Sequence, residues 1–196
     1  VITPDRDPGA LVALAEAAAR GGADVIQLRH KTLARGELLA LARSLREVTL
    51  AADVLFVVND HVDIALLSEA DGVHLGPDDI TIASARKVAG DRLLIGASAW
   101  TPEAASAAAA AGADYLGCGP AFATPVKREK RVIGPKGVAG VAAAVSLPVF
   151  AIGGIDESNV GELTTLGITR VCVIRAIGDA ADPEAATRRL RAMLNA

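Results

Sequence analysis

Between Val57 and Asp79 the chain reads VVNDHVDIALLSEADGVHLGPDD. Two apolar, strand-like runs, 55–58 and 71–75, each lead into polar groups that a buried strand does not need. These are Asn59-Asp60 after the first and Asp78-Asp79 after the second. If the runs are parallel neighbours, Asp60 and Asp79 emerge at one edge of the sheet. Two carboxylates held together repel unless a proton or cation sits between them, and oxygen donors suit a hard ion such as Mg2+. Cations follow the same rule of placement. Arg29 and Lys31 end the run containing Gln27, and Lys127 lies with Thr124 in the long loop after Gly119. With a divalent metal they could neutralise a pyrophosphate, whose charge no single side chain balances. A second anion site is expected at Ala151-Ile152-Gly153-Gly154-Ile155, read as a strand turning straight into a helix whose N–H groups cradle a phosphate. Ile174-Arg175 would border it.

The elements that would hold these groups alternate along the whole chain. Strands are predicted over 1–3, 24–29, 54–59, 71–75, 93–97, 115–119, 148–152 and 170–174, and helices over 8–20, 36–51, 60–68, 80–89, 101–111, 136–145, 157–166 and 183–194. Eight strand–helix pairs predict an α/β fold: a compact (β/α)8 TIM barrel forming a single domain over 1–196, with its working face at the strand C-termini. Asn59 and Ser98 then join the residues at that face. A doubly wound open sheet is the competing architecture, but it has no ready place for eight similar units. A weak repeat supports the barrel. Gly22-Ala23-Asp24, Ala70-Asp71 and Gly112-Ala113-Asp114 each link a helix to an even-numbered strand, and Gly167-Ile168-Thr169 stands before the eighth.

Composition narrows the class. The chain has 196 residues, 52% of them hydrophobic and 3% aromatic, with a net charge of −3. Few aromatics and no basic stripe argue against a nucleic-acid surface. No apolar run approaches the ~18 residues of a membrane span. Cys118 and Cys172 lie in apolar runs and read as small hydrophobes, without a disulfide framework, which fits a reducing cytoplasm. The chain opens at Val1 without a methionine, so a short leader is expected to be missing. A homo-oligomer is compatible with the sequence, which carries no signal for it.

The segments QLRHK (27–31), ND (59–60), ADGVHLGPDD (70–79), ASAWT (97–101), GADYLGCGPAFATPVK (112–127) and AIGGI (151–155) together resemble the thiamine-phosphate synthase and TenI family, over nearly the whole length. The resemblance implies a transferase that joins hydroxymethylpyrimidine diphosphate to thiazole phosphate, giving thiamine phosphate and pyrophosphate. It implies that Gln27, Arg29, Lys31 and Asn59 hold the pyrimidine diphosphate, with Ser98 and Lys127 completing that site, and that Asp60 and Asp79 bind Mg2+. Thr124, Gly154, Ile174 and Arg175 would meet the thiazole phosphate. Arg29, Ser98 and Lys127 would act on the reacting centre, where the pyrophosphate departs before the thiazole nitrogen attacks. A TenI-like thiazole tautomerase and a non-catalytic thiazole-phosphate-binding regulator are the alternatives.

The chain departs from the family pattern at three places. Val126 stands where a second threonine is usual, Arg175 where serine is usual, and Trp100 where a histidine is common. Each site element also has a plainer reading. Asp78 and Asp79 suit the first turn of a helix, Lys31 and Lys127 suit solvated loops, and Gly153-Gly154 suits close strand–helix packing. His74, inside a strand, reads as a satisfied core residue. A sugar-phosphate epimerase would need paired histidines at a metal, and His30 and His74 are poorly placed for that.

Overall fold

The computed structural model describes residues 1–124 and 131–195. In chain order its main elements are α1 (Pro8–Arg20), β1 (Val25–Leu28), α2 (Arg35–Ala51), β2 (Leu55–Asn59), α3 (Val62–Leu67), β3 (Gly72–Leu75), α4 (Ile82–Ala89), β4 (Leu94–Ser98) and α5 (Pro102–Ala110). They continue with β5 (Tyr115–Cys118), α6 (Gly134–Ala143), β6 (Val149–Ile152), α7 (Val160–Thr164), β7 (Val171–Cys172), α8 (Arg175–Gly178) and α9 (Pro183–Leu194). The seven strands form one parallel sheet in sequence order. Among the described residues the predicted first strand, 1–3, contributes a single bridge between Ile2 and Gln27. Its main chain nevertheless bonds to both ends of the sheet. Thr3 N–H donates to the Gln27 carbonyl at 3.0 Å, and Ile2 N–H donates to the Val173 carbonyl at 2.9 Å.

The strands are short and covered on both faces, as parallel strands joined by helices must be. On one face Ile26 and Leu28, Phe56 and Val58, Val73 and Leu75, Ile95 and Ala97, Leu116 and Cys118, and Val149 and Ala151 are buried, in one hydrophobic cluster with residues of the helices. The alternate residues Gln27, Asn59, His74, Ser98, Tyr115, Gly117, Phe150, Ile152 and Cys172 line a cavity instead. The period of two along each strand therefore divides packing from chemistry.

The sequence repeat has a physical cause at the opposite end of the strands. Gly22 and Gly112, at φ 92° and 94°, end their helices in the left-handed region, and Glu69 takes that conformation (φ 54°) where no glycine is present. The aspartate that follows is then clamped by an arginine from a helix. Arg46 binds Asp71 through two nitrogens at 2.8 and 3.2 Å, Arg86 binds Asp114 at 2.6 Å, and Arg191 binds Asp24 at 2.8 Å. Asp71 and Asp114 also accept the N–H of Phe56 and of Ile95, each at 2.7 Å, which fixes one strand against the one before it. Removing the Asp71 carboxylate strands both a buried N–H and a guanidinium. Asp71→Ala should lower the unfolding free energy by about 2–3 kcal/mol and Asp71→Asn by less, measured by urea titration.

Candidate active site

A cavity of about 1080 Å³ opens where the strands end. Gln27, Arg29, Lys31, Asn59, Asp60, Asp79, Ser98, Thr124, Gly154, Ile174 and Arg175 all line it, so predicted positions spread over 149 residues of sequence meet at one opening. Lys127 and Val126 lie outside the described residues.

One wall carries the charge. The Lys31 ammonium lies 2.5 Å from Asp60 Oδ2. Asp60 sits just past β2 with φ 67°, its N–H donating to the His74 carbonyl at 2.8 Å. Asp79 Oδ2 accepts the Gly76 N–H at 2.7 Å. Neither Asp78 nor Asp79 belongs to a helical first turn, because α4 starts at Ile82 behind a Thr81 cap. Burial pushes both carboxyls up. In Asp60 the hydrogen bond from Lys31, with others, outweighs burial and holds it below its ordinary value. Asp79 remains above its ordinary value, because the nearby Asp60 charge adds to burial despite the Gly76 N–H. Among the described residues no group of three or more His, Cys, Asp or Glu surrounds a common point. Mg2+ commonly uses only one or two carboxylates, with waters and substrate phosphates filling the rest. Two mutually repelling carboxylates at an open mouth therefore fit such an ion. Arg29 completes this wall, its Nη1 3.1 Å from Asp5 Oδ2.

The floor was not legible in the sequence. His74 is half-buried, lines the cavity, and places Nε2 3.1 Å from Ser98 Oγ, which corrects its reading as a core residue. Its ring lies 5.6 Å from that of Tyr115, whose hydroxyl bonds with Gln27 and is pushed above its ordinary pKa chiefly by burial. Gly96 makes room: a Cβ there would come within 2.1 Å of Tyr115 Cζ. Cys172 also faces the cavity, whereas Cys118 is fully buried, its thiol pushed up to about 12. Placing these positions takes the register between strands, such as Asn59 beside His74, in addition to the period of two along each strand.

The opposite wall is a turn rather than a helix start. Helix α7 begins only at Val160, so Gly153-Gly154 does not lead straight into it. The two glycines hold φ 99° and 66°. Their carbonyls are tied back, Gly153 accepting from Phe122 N–H at 2.9 Å and Gly154 from Asn159 Nδ2 at 2.8 Å. A Cβ on Gly154 would lie 2.5 Å from the Ala123 carbonyl oxygen. Arg175 opens the four-residue α8, which the sequence pattern did not predict, and its guanidinium is exposed without a partner among the described residues.

Comparison with known proteins gives this arrangement its relatives. The thiamine-phosphate synthase of Haloquadratum walsbyi is 44% identical over 195 residues, covering 97% of this chain and 87% of that protein. The thiamine-phosphate synthase of Gloeobacter violaceus is 44% identical over 185 residues, and there the match covers 94% of this chain but only 54% of the longer relative. The solved structure of thiamine phosphate pyrophosphorylase from Pyrococcus furiosus superposes with a TM-score of 0.92 at 39% identity, covering 99% of this chain and 94% of the other. The family described as Thiamine monophosphate synthase matches residues 1–177, and the chain belongs to it.

Proposed function

We propose that this protein is a thiamine-phosphate synthase, a transferase that condenses hydroxymethylpyrimidine diphosphate with thiazole phosphate to give thiamine phosphate and pyrophosphate. One observation carries the reading beyond family membership. The cationic and carboxylate wall (Arg29, Lys31, Asp60, Asp79) and the glycine turn with Arg175 line one cavity. A thiazole tautomerase or a passive thiazole-phosphate binder would have no use for the first wall.

In the proposed reaction the C–O bond between the pyrimidine methylene and the diphosphate breaks, and both electrons leave on the diphosphate oxygen. The lone pair of the thiazole ring nitrogen then forms the new C–N bond, leaving the positive charge on that ring without any proton transfer. Arg29 and Lys31, with Lys127, offset the charge that develops on the leaving group. Gln27 and Asn59 orient the pyrimidine, and Ser98, bonded to His74, borders the reacting carbon. Asp60 and Asp79 would hold Mg2+, which supplies Lewis-acid stabilisation of the departing diphosphate. Thr124, Gly154, Ile174 and Arg175 hold the thiazole phosphate, with Arg175 replacing hydroxyl contacts by a planar charged donor.

The same reading extends to the fold. We infer a complete (β/α)8 barrel making a single domain of 1–196. The bonds of Ile2 to Val173 and of Thr3 to Gln27, which bridge the first and last strands of the sheet, support this closure. Among the described residues no helix is long and apolar enough to cross a membrane, which is compatible with a cytoplasmic enzyme acting on small molecules.

Purified protein given Mg2+ and both substrates should release pyrophosphate and thiamine phosphate in equal amounts, and a chelator should abolish both. Absence of product at high enzyme concentration overturns the reading. Asp60→Asn should lower kcat about 100-fold, the scale of losing a stabiliser of developing charge, and raise the Mg2+ concentration for half-maximal rate. An unchanged rate removes Asp60 from the metal site. Arg175→Ala should raise KM for thiazole phosphate about tenfold, with kcat little altered, as expected for one charged hydrogen bond. If KM instead falls, Arg175 obstructs the phosphate rather than binding it.

A further inference from the structure

Asp5 lies outside the six short motifs quoted from the sequence, yet it contacts both residues that supply the described cations of the charged wall, the Arg29 guanidinium and the Lys31 main chain. Its carboxylate is divided between them: Oδ2 lies 3.1 Å from Arg29 Nη1, and Oδ1 accepts the backbone N–H of Lys31 at 2.7 Å. The loop that carries it is pinned on either side. Thr3 Oγ1 both donates to the Arg29 carbonyl and accepts the Arg29 N–H, each at 2.9 Å. Arg6 donates to the Gly178 carbonyl at 2.6 Å and to Asp179 Oδ1 at 2.5 Å.

Neither the ion pair with Arg29 nor the local charge balance by itself accounts for a carboxylate here. The Asp5 and Arg29 side chains are 39% and 20% exposed, and ion pairs of that kind contribute little to folding. A negative charge beside cations that await a diphosphate also weakens the attraction for it. Geometry gives it a use. A guanidinium has five N–H donors in one plane, so anchoring it through one nitrogen sets the direction of the remaining four. The bond to the Lys31 amide fixes the backbone from which the Lys31 ammonium reaches Asp60. One carboxylate thereby sets the aim of two cations.

We propose that Asp5 is a positioning residue for the diphosphate half-site, holding Arg29 and Lys31 in the arrangement that receives the leaving group. The proposal rests on the synthase reading above. Its test is steady-state kinetics of the wild type, Asp5→Ala and Asp5→Asn, varying each substrate in turn at saturating Mg2+, with inhibition by inorganic pyrophosphate and thermal unfolding measured alongside. Asp5→Ala should raise both the KM for the pyrimidine diphosphate and the pyrophosphate inhibition constant about tenfold, the scale of one charge-assisted hydrogen bond. The KM for thiazole phosphate and the unfolding midpoint should stay at wild-type values. Asp5→Asn retains one acceptor and should fall between. Tighter pyrophosphate binding in both variants would reduce Asp5 to a counter-charge and overturn the proposal. So would unchanged constants, or equal shifts for the two substrates accompanied by a lower unfolding midpoint. A wild type that makes no thiamine phosphate fails the synthase reading instead. Calorimetric titration of the three proteins with pyrophosphate and Mg2+ then tests Asp5 by itself, with the same tenfold loss expected and an unchanged affinity overturning it.

Discussion

Everything at the mouth of the cavity depends on strand register. Along a strand, side chains alternate between two faces, and a slip of one residue would exchange them. Here that slip would turn Phe56 and Val58 toward the cavity and would bury Gln27, His74 and Tyr115 among the helices. The parallel ladder joins Val58 to Val73, Val73 to Ile95 and Ala97 to Leu116, so one error would propagate through the sheet. The clamps at Asp71 and Asp114 oppose it. Each ties a strand to a specific N–H of the previous strand and to a helical arginine, far from the opening but along the same rigid elements. Precision at the working end is thus established at the other end, where the side chains carry no chemistry.

The same constraint explains what the sequence could and could not tell. Asn59-Asp60 and Asp78-Asp79 were legible because a polar pair ending an apolar run has few uses in a parallel sheet. Helices α1 and α9 were legible to the residue, since proline begins each behind an aspartate cap and apolar periodicity runs through it. The floor was hidden for the opposite reason. Strands covered on both faces show almost no alternation of polarity, so His74 and Tyr115 stood among Val, Leu and Gly like ordinary core residues. Strand β7 has two residues and α8 four, both too short for any period to register. Gly153-Gly154 reads as a strand turning straight into a helix, but the residues after it, Asp156-Glu157-Ser158, precede α7. They form instead a side-chain-bonded loop, with the Asp156 carboxylate accepting from both Ser158 N–H and Ser158 Oγ.

The charged wall is balanced at close range yet incomplete in kind. Lys31 faces Asp60, and Arg29 faces Asp5, so neither described cation stands bare. The balance is uneven between the two carboxylates. Lys31 holds Asp60 below its ordinary pKa against the pull of burial, while Asp79, beside Asp60, is held above its own. Like charges in one site separate their titrations in this way, and the conflict ends when a second positive charge enters between them. A lysine ammonium supplies one charge at one point. A divalent cation held there by Asp60 and Asp79 would offset their mutual repulsion and draw the Asp79 pKa back toward its ordinary value. The wall thus sets a pair of carboxylates that suits a cation beside Arg29 and Lys31, which suit an anion, so that opposite charges can offset each other within one opening.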